Sequence, residues 1–154
     1  PQSPFVPSLA EAAQSDVQLI WVGRNDGGGA LATTTTAKIA AAVAYLKHER
    51  FIVLGVCTKY DGTENAGTTV YNQMTAFNNE MRALYGSRFL DVRRYLIDHG
   101  LADAGLTPTT ADADAIAVDA IPPAFGNGDG VHFNNTAYGL IAAQAKLILD
   151  TKGW

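Results

Sequence analysis

Apolar and polar positions alternate along this chain in two rhythms. Val17-Gln18-Leu19-Ile20-Trp21-Val22 is a near-continuous apolar run closed by Gly23, and Phe51-Ile52-Val53-Leu54-Gly55-Val56 is a second. Runs of this kind predict strands buried on both faces, as in a parallel sheet. Phe89-Leu90-Asp91-Val92 predicts a shorter third strand. Between the strands the spacing is helical. Thr36 to Glu49 sets Ile39, Val43 and Leu46 on one face, and Val70, Met74, Phe77, Met81 and Leu84 recur at intervals of four and three before Gly86, a helix-ending residue. Arg93 to His99 predicts a short helix. Asn134 or Asn135 caps a last one that runs through Leu140, Ile141, Ala145 and Ile148. Near the start, Ser8 to Ser15 fits a short helix with Ser8 as N-cap and Glu11 as its capping-box partner.

Strand and helix in alternation favour an α/β fold, a parallel sheet with helices on both faces. No internal repeat or linker divides the chain, so residues 1–154 read as a single domain. Gly27-Gly28-Gly29 predicts a turn and Thr58 to Gly67 a polar loop. Leu101 to Gly130, rich in Ala, Asp, Pro, Thr and Gly, shows no clear period. A structureless loop of that length points to function. Three strands also make a small sheet with one hydrophobic edge left bare, which proteins generally cover.

Composition narrows the possible functions. The 154 residues are 47% hydrophobic and 17% charged, ordinary for a soluble globular domain. With 11 basic and 15 acidic residues, and no basic cluster beyond Arg93-Arg94 and Lys47 to Arg50, phosphate-driven nucleic-acid binding is disfavoured. No apolar run reaches the ~18–20 residues that would span a membrane. Cys57 is the single cysteine, which excludes an intrachain disulfide and a cysteine-based zinc site; its neighbours predict a small buried hydrophobe on a strand. His48, His99 and His132 lie far apart with no metal-ligand spacing, and no glycine-rich nucleotide fingerprint is present, so neither metal nor cofactor is expected. The chain starts at Pro1 without a signal-peptide pattern, as a processed product, a cloned domain or a fragment would.

Two tetrapeptides carry candidate chemistry. In open parallel sheets the ligand crevice lies beyond the carboxyl ends of the strands, where Gly23-Arg24-Asn25-Asp26 is expected. Gly23 permits close backbone approach, Asn25 can aim its NH2 at an oxygen that gains charge, and Asp26 can hold the loop by bonding to its backbone. An Asx turn after a strand would use the same residues without chemistry. Asp129-Gly130-Val131-His132 stands just before the last helix. At that spacing the carboxylate can accept from the imidazole N–H, fixing the tautomer and supporting an imidazolium; a surface histidine after an Asp-Gly turn is the bland alternative. Together they supply a base, its orienting carboxylate and an oxyanion donor.

Gly23-Arg24-Asn25-Asp26 and Asp129-Gly130-Val131-His132-Phe133-Asn134, in that order, resemble the third and fifth blocks of the SGNH (GDSL-type) hydrolases. Phe89-Leu90-Asp91-Val92 resembles the short strand which that family carries between them. The likeness runs from about Val17 to Leu149. It implies a three-layer, flavodoxin-like α/β/α fold with a mostly parallel sheet, Asn25 with Gly23 at the oxyanion hole, Asp26 as loop support, His132 as general base and Asp129 as its orienting partner. It also implies a Gly-Asp-Ser block and an oxyanion-hole glycine ahead of Gly23, where only Pro1 to Asp16 precede the first strand. Ser3, Ser8 and Ser15 lack the Gly-Asp-Ser context and follow no strand; Ser15 and Ser87 precede strands and belong to the opposite end of the sheet. The chain therefore holds no nucleophile of its own, and an N-terminal strand–helix–strand unit is missing, which would leave the bare edge.

Two functions are compatible with this pattern. One is a serine ester hydrolase completed by a missing or separate N-terminal segment, matched to O-acetylated carbohydrate because no long apolar stripe suggests an acyl-chain tunnel. The other is a non-catalytic carbohydrate-binding or assembly module of the same descent, as in a phage tail fibre or tailspike, with a homo-oligomer covering the edge. The expected partners are an acetylated glycan and a second chain, in an extracellular or virion-associated setting, and neither nucleic acid nor membrane.

Overall fold

The computed structural model describes residues 17–26 and 34–154. The expected Ser8 to Ser15 helix, the Gly27-Gly28-Gly29 turn, and Ser3, Ser8 and Ser15 lie outside the described residues.

Three strands, β1 (Gln18–Ile20), β2 (Phe51–Leu54) and β3 (Phe89–Leu90), form a parallel sheet in the order β1-β2-β3. Leu19 pairs with Ile52 and Val53 with Phe89. Helix α1 (Thr36–Tyr45) joins β1 to β2, and α2 (Thr69–Tyr85) joins β2 to β3. After β3 come α3 (Val92–Tyr95), a π turn (Leu96–Gly100), α4 (Leu101–Asp103), α5 (Thr110–Ala117) and the long α6 (Asn135–Lys152). The fold is α/β.

All four residues of β2 are buried, which is why its sequence is a continuous apolar run. Its side chains alternate between two cores. Phe51 and Val53 join Ile39 of α1 and Met74, Phe77 and Met81 of α2 on one face; Ile52 and Leu54 join Leu96, Ile97, Phe125, Ala137 and Ile141 on the other. Each such large side chain contributes roughly 1.5–3 kcal/mol on burial. Where β2 ends, Asn78 of α2 replaces a strand partner. Its Oδ1 accepts from Val56 N–H and its Nδ2 donates to Val56 O, both at 2.9 Å. The long helices begin and end on local signals. Thr68 accepts from Tyr71 N–H at the start of α2 and Asn134 from Ala137 N–H at the start of α6, while Gly86 and Gly153, both at positive φ, end them.

Several expectations need correction. The first apolar run is not a strand buried on both faces: β1 is three residues long, none of them buried, and Leu19 is 56% exposed. A strand is enclosed only where both neighbours exist, and among the described residues β1 pairs with β2 alone. Leu84 continues the helical spacing of α2 yet is 57% exposed, because the last turn of α2 borders an open cleft. The third strand stops at Leu90, since Asp91 caps α3 by accepting from Arg94 N–H at 3.0 Å. The short helix placed at Arg93 to His99 instead runs from Val92 to Asp103 through the π turn. Helix α1 ends at Tyr45, short of Glu49, and β2 ends at Leu54, leaving Cys57 buried beyond the strand. Leu101 to Gly130 is not an unstructured loop either. Thr109 and Asp112 form a reciprocal capping box at α5, and the buried Asp112 also accepts from Ala124 N–H at 3.0 Å, fastening α5 to the 3-10 turn Pro123–Phe125. The Ala-rich α5 buries little apolar surface, so it leaves no hydrophobic period to read.

Candidate functional site

At the carboxyl end of β1 the chain turns through Gly23, whose φ of 110° is open to glycine and strained for other residues. Asp26 N–H closes the turn on Gly23 O at 3.0 Å, and Asn25 stands exposed at its tip. The flanking side chains are anchored. Arg24 Nη2 reaches both oxygens of Glu64 at 3.0 and 3.1 Å, and the Asp26 carboxylate accepts the Thr35 hydroxyl at 2.6 Å with Lys38 Nζ at 3.9 Å. Asp26 thus ties the turn to the start of α1.

The second loop is pinched by an antiparallel bridge between Gly126 and Phe133, with Asn127 N–H donating to His132 O at 3.0 Å. Inside the pinch Asp129 organises the loop. Its Oδ1 accepts from Val131 N–H and His132 N–H at 2.8 Å each, and its Oδ2 accepts from His132 Nδ1–H at 2.6 Å. An ionised carboxylate only accepts, so a proton sits on Nδ1, and in the neutral imidazole that tautomer leaves the lone pair on Nε2. The His132 side chain is 68% exposed, leaving Nε2 open to a substrate. The His132 side chain, then the backbone N–H groups of His132 and Val131, hold the Asp129 carboxyl far below its ordinary range. It stays ionised through neutral and moderately acid pH.

Two routes link these loops. Trp21, at the end of β1, meets the Tyr138 ring edge-on at 6.3 Å, and Tyr138 meets Phe133, next to His132, at 5.9 Å. The second route is the segment after β2. Tyr60 N–H donates to Gly130 O at 3.1 Å, and the Tyr60 hydroxyl accepts from Gly130 N–H at 2.9 Å and Gly128 N–H at 3.2 Å while donating to His132 O at 3.1 Å. Four residues on, the buried Glu64 holds Arg24 and accepts from Lys59 N–H at 2.8 Å. Gly126 and Gly130 make room for this segment: a Cβ on Gly126 would lie 2.3 Å from the Tyr60 ring, and one on Gly130 2.9 Å from Asp61 Cβ. Sequence reasoning passed over Tyr60 and Glu64. The available signal was their position, in a polar loop directly after a buried strand, but nothing in the sequence names their partners.

Two nucleophile candidates fall among the described residues. Ser87, the one serine among the described residues, lies in the 3-10 turn ahead of β3, at the amino end of the sheet, and its Oγ accepts from Lys152 Nζ at 2.7 Å. Burial, then the charge of Asp91, pushes the Cys57 thiol well up, so it stays protonated and unreactive. Among the described residues no three His, Cys, Asp or Glu side chains gather as metal ligands, and no helix is long and apolar enough to cross a membrane. A cleft of about 490 Å³ opens at the amino end of the sheet, between Val43, Leu46, Phe51, Tyr85 and Arg88, remote from the dyad. A smaller one, about 200 Å³, adjoins Arg93 and Asp119.

Fold and geometry together define an α/β protein with an ordered, exposed His–Asp dyad and an anchored Gly-Arg-Asn-Asp turn beyond the carboxyl ends of its parallel strands. No protein-family model, curated protein or solved structure matches the chain.

Proposed function

We propose that this chain is the base-and-oxyanion part of a serine ester hydrolase of SGNH type, with the flavodoxin-like architecture of that family, acting on O-acetylated carbohydrate. The observation that carries this reading is the dyad: Asp129 fixes the His132 tautomer by a 2.6 Å bond and leaves Nε2 exposed. A serine supplied by a separate polypeptide segment gives its hydroxyl proton to His132 Nε2 as Oγ attacks the acyl carbon. The carbonyl oxygen takes the negative charge and is met by the Asn25 NH2, with Gly23 letting the backbone approach. His132 then returns the proton to the leaving alcohol, and water, deprotonated by the same imidazole, releases acetate from the acyl-enzyme. Asp129 stabilises the imidazolium in both halves. An open, polar setting around the dyad suits a short acyl group on a hydrophilic alcohol.

A serine-bearing segment would pair along β1. Its outer flank exposes Leu19, Trp21 and Val22 beside Tyr138, an apolar edge of the kind a further parallel strand covers. The same edge favours a second reading, an assembly or carbohydrate-binding module in which a neighbouring copy covers it. Mild purification from the native source, with intact-mass measurement of every polypeptide, followed by turnover of p-nitrophenyl acetate and acetylated xylan, separates the two. A serine-bearing partner with turnover abolished by His132→Ala supports the hydrolase. A homo-oligomer that binds glycan and hydrolyses no ester supports the module.

A further inference from the structure

The segment between β2 and α2 belongs to neither tetrapeptide, yet both are bonded to it. Its Tyr60 stands at the centre of the Gly126–Phe133 pinch. One hydroxyl oxygen accepts two backbone N–H groups, from Gly128 and Gly130, and its proton goes to His132 O. Asp129 Oδ1 lies 3.3 Å from the same oxygen. A tyrosine hydroxyl has this capacity, one donor and two lone pairs, and no phenylalanine does. Phe125 and Phe133 at the loop's two ends are buried in the core and Tyr60 packs against it, but Asn127 to Asp129 and His132 between them are exposed. The loop is therefore held in shape mainly by polar bonds, and most of those from outside it converge on one atom.

We infer that Tyr60 is a positioning residue for the dyad: its hydroxyl sets the backbone of residues 128–132 so that Asp129 and the His132 ring meet. Glu64, in the same segment, does the corresponding work for the other turn through Arg24. The inference rests on the hydrolase reading for its functional meaning, but its test does not need turnover. Removing the hydroxyl leaves two N–H groups and a carbonyl to find water, and the pinch opens.

The test is nuclear magnetic resonance of the 154-residue chain, comparing wild type with Tyr60→Phe and Glu64→Gln. In the wild type the His132 Nδ1–H gives a low-field resonance and the Gly130 amide exchanges slowly. In Tyr60→Phe the resonance broadens or vanishes, the Gly128 and Gly130 amides exchange about fivefold to tenfold faster, as loss of one net hydrogen bond allows, and the Asp129 carboxyl titrates closer to its ordinary range. Glu64→Gln leaves these signals in place. An unchanged His132 resonance in Tyr60→Phe overturns the inference, and so does an equal loss in Glu64→Gln, which would mean general loosening. Should Tyr60→Phe fail to fold, wild-type exchange decides: an unprotected Gly130 amide overturns the inference, a protected one supports it. Absence of ester turnover from any reconstituted complex would instead count against the hydrolase reading and leave these signals untouched.

Discussion

The two outer strands of the sheet are treated differently. β3 is only two residues long, yet both are buried, Phe89 in the core beneath α2 and Leu90 in the core beneath α6. Beyond it the chain ties itself down. Arg82 lies over the Phe89 ring and pairs with Asp91, while Arg93 and Arg94 converge on Asp119 at 2.6 and 2.5 Å, with Tyr71 donating to the same carboxylate at 2.5 Å. β1 is longer, but its three residues are all incompletely buried and Leu19, Trp21 and Val22 on and beside it are exposed. Among the described residues the β3 edge is closed by charges and helices, whereas the β1 edge is apolar and exposed. The candidate dyad is linked to the β1 side through Trp21, Tyr138 and Phe133.

Arg93→Ala should break the β3 edge severely. Arg93 is 4% exposed and bonds both the carboxylate and the carbonyl of Asp119. Its loss strands a partly buried carboxylate, held then only by Arg94 and Tyr71, and should cost about 3 kcal/mol, near the lower end for a broken buried pair. Urea denaturation followed by circular dichroism would read this, and a midpoint unchanged from wild type would remove the cluster from the account of the edge.

One substitution made at both edges sharpens the contrast. Leu90→Ala should destabilise by about 2–4 kcal/mol, since Leu90 is buried among α6 and β2 side chains. Leu19→Ala should change stability by no more than about 0.5 kcal/mol, as exposed positions do. Similar losses at the two sites would mean that β1 is covered in solution, and sedimentation velocity would then show the covering copy.

Acid should loosen the β3 side. Burial works against ionisation of Asp119, but hydrogen bonds from Tyr71, Arg93 and Arg94 prevail and lower its carboxyl from the ordinary 3.8 to about 2. A folded-state value below the unfolded one means a stabilising contribution that is whole above pH 3.8 and is lost as pH falls through about 2. Asp119→Asn should flatten the stability profile across that window, and an unaltered acid limb would show that other carboxylates govern it.

The smallest effect concerns chemistry. The chain alone should hydrolyse p-nitrophenyl acetate no faster than free imidazole, because residual catalysis by a base and an oxyanion donor needs substrate held in place. Turnover abolished both by His132→Ala and by a serine-directed phosphonate would mean that a serine reaches the site from within the chain or from a neighbouring copy.

The strands and long helices were legible wherever burial imposes a period. The continuous run of β2 and the fours and threes of α2 record two cores pressing on one strand and one helix. Legibility failed where polar bonds or sheet position decide. Leu19 reads like Ile52 by composition, but only strand order makes one an edge residue and the other a core residue. Helix α5 was hidden because its start depends on Thr109 and Asp112 and its body is mostly small side chains. Of the candidate site, the Asp129–His132 contact was readable from spacing, since three residues of loop can fold a carboxylate back onto an imidazole.

The alternation of strand and helix, the capped long helices and the local pairing of Asp129 with His132 are written along the chain. These depend on neighbours along the chain and on hydrophobic period. Only the tertiary structure decided which strand stands at the open edge, that Arg93, Arg94 and Tyr71 share Asp119, and that Tyr60 and Glu64 tie two loops distant in sequence to one segment. Those contacts join residues far apart along the chain, and a hydrogen-bonding side chain carries no mark of its partner until folding brings the two within reach.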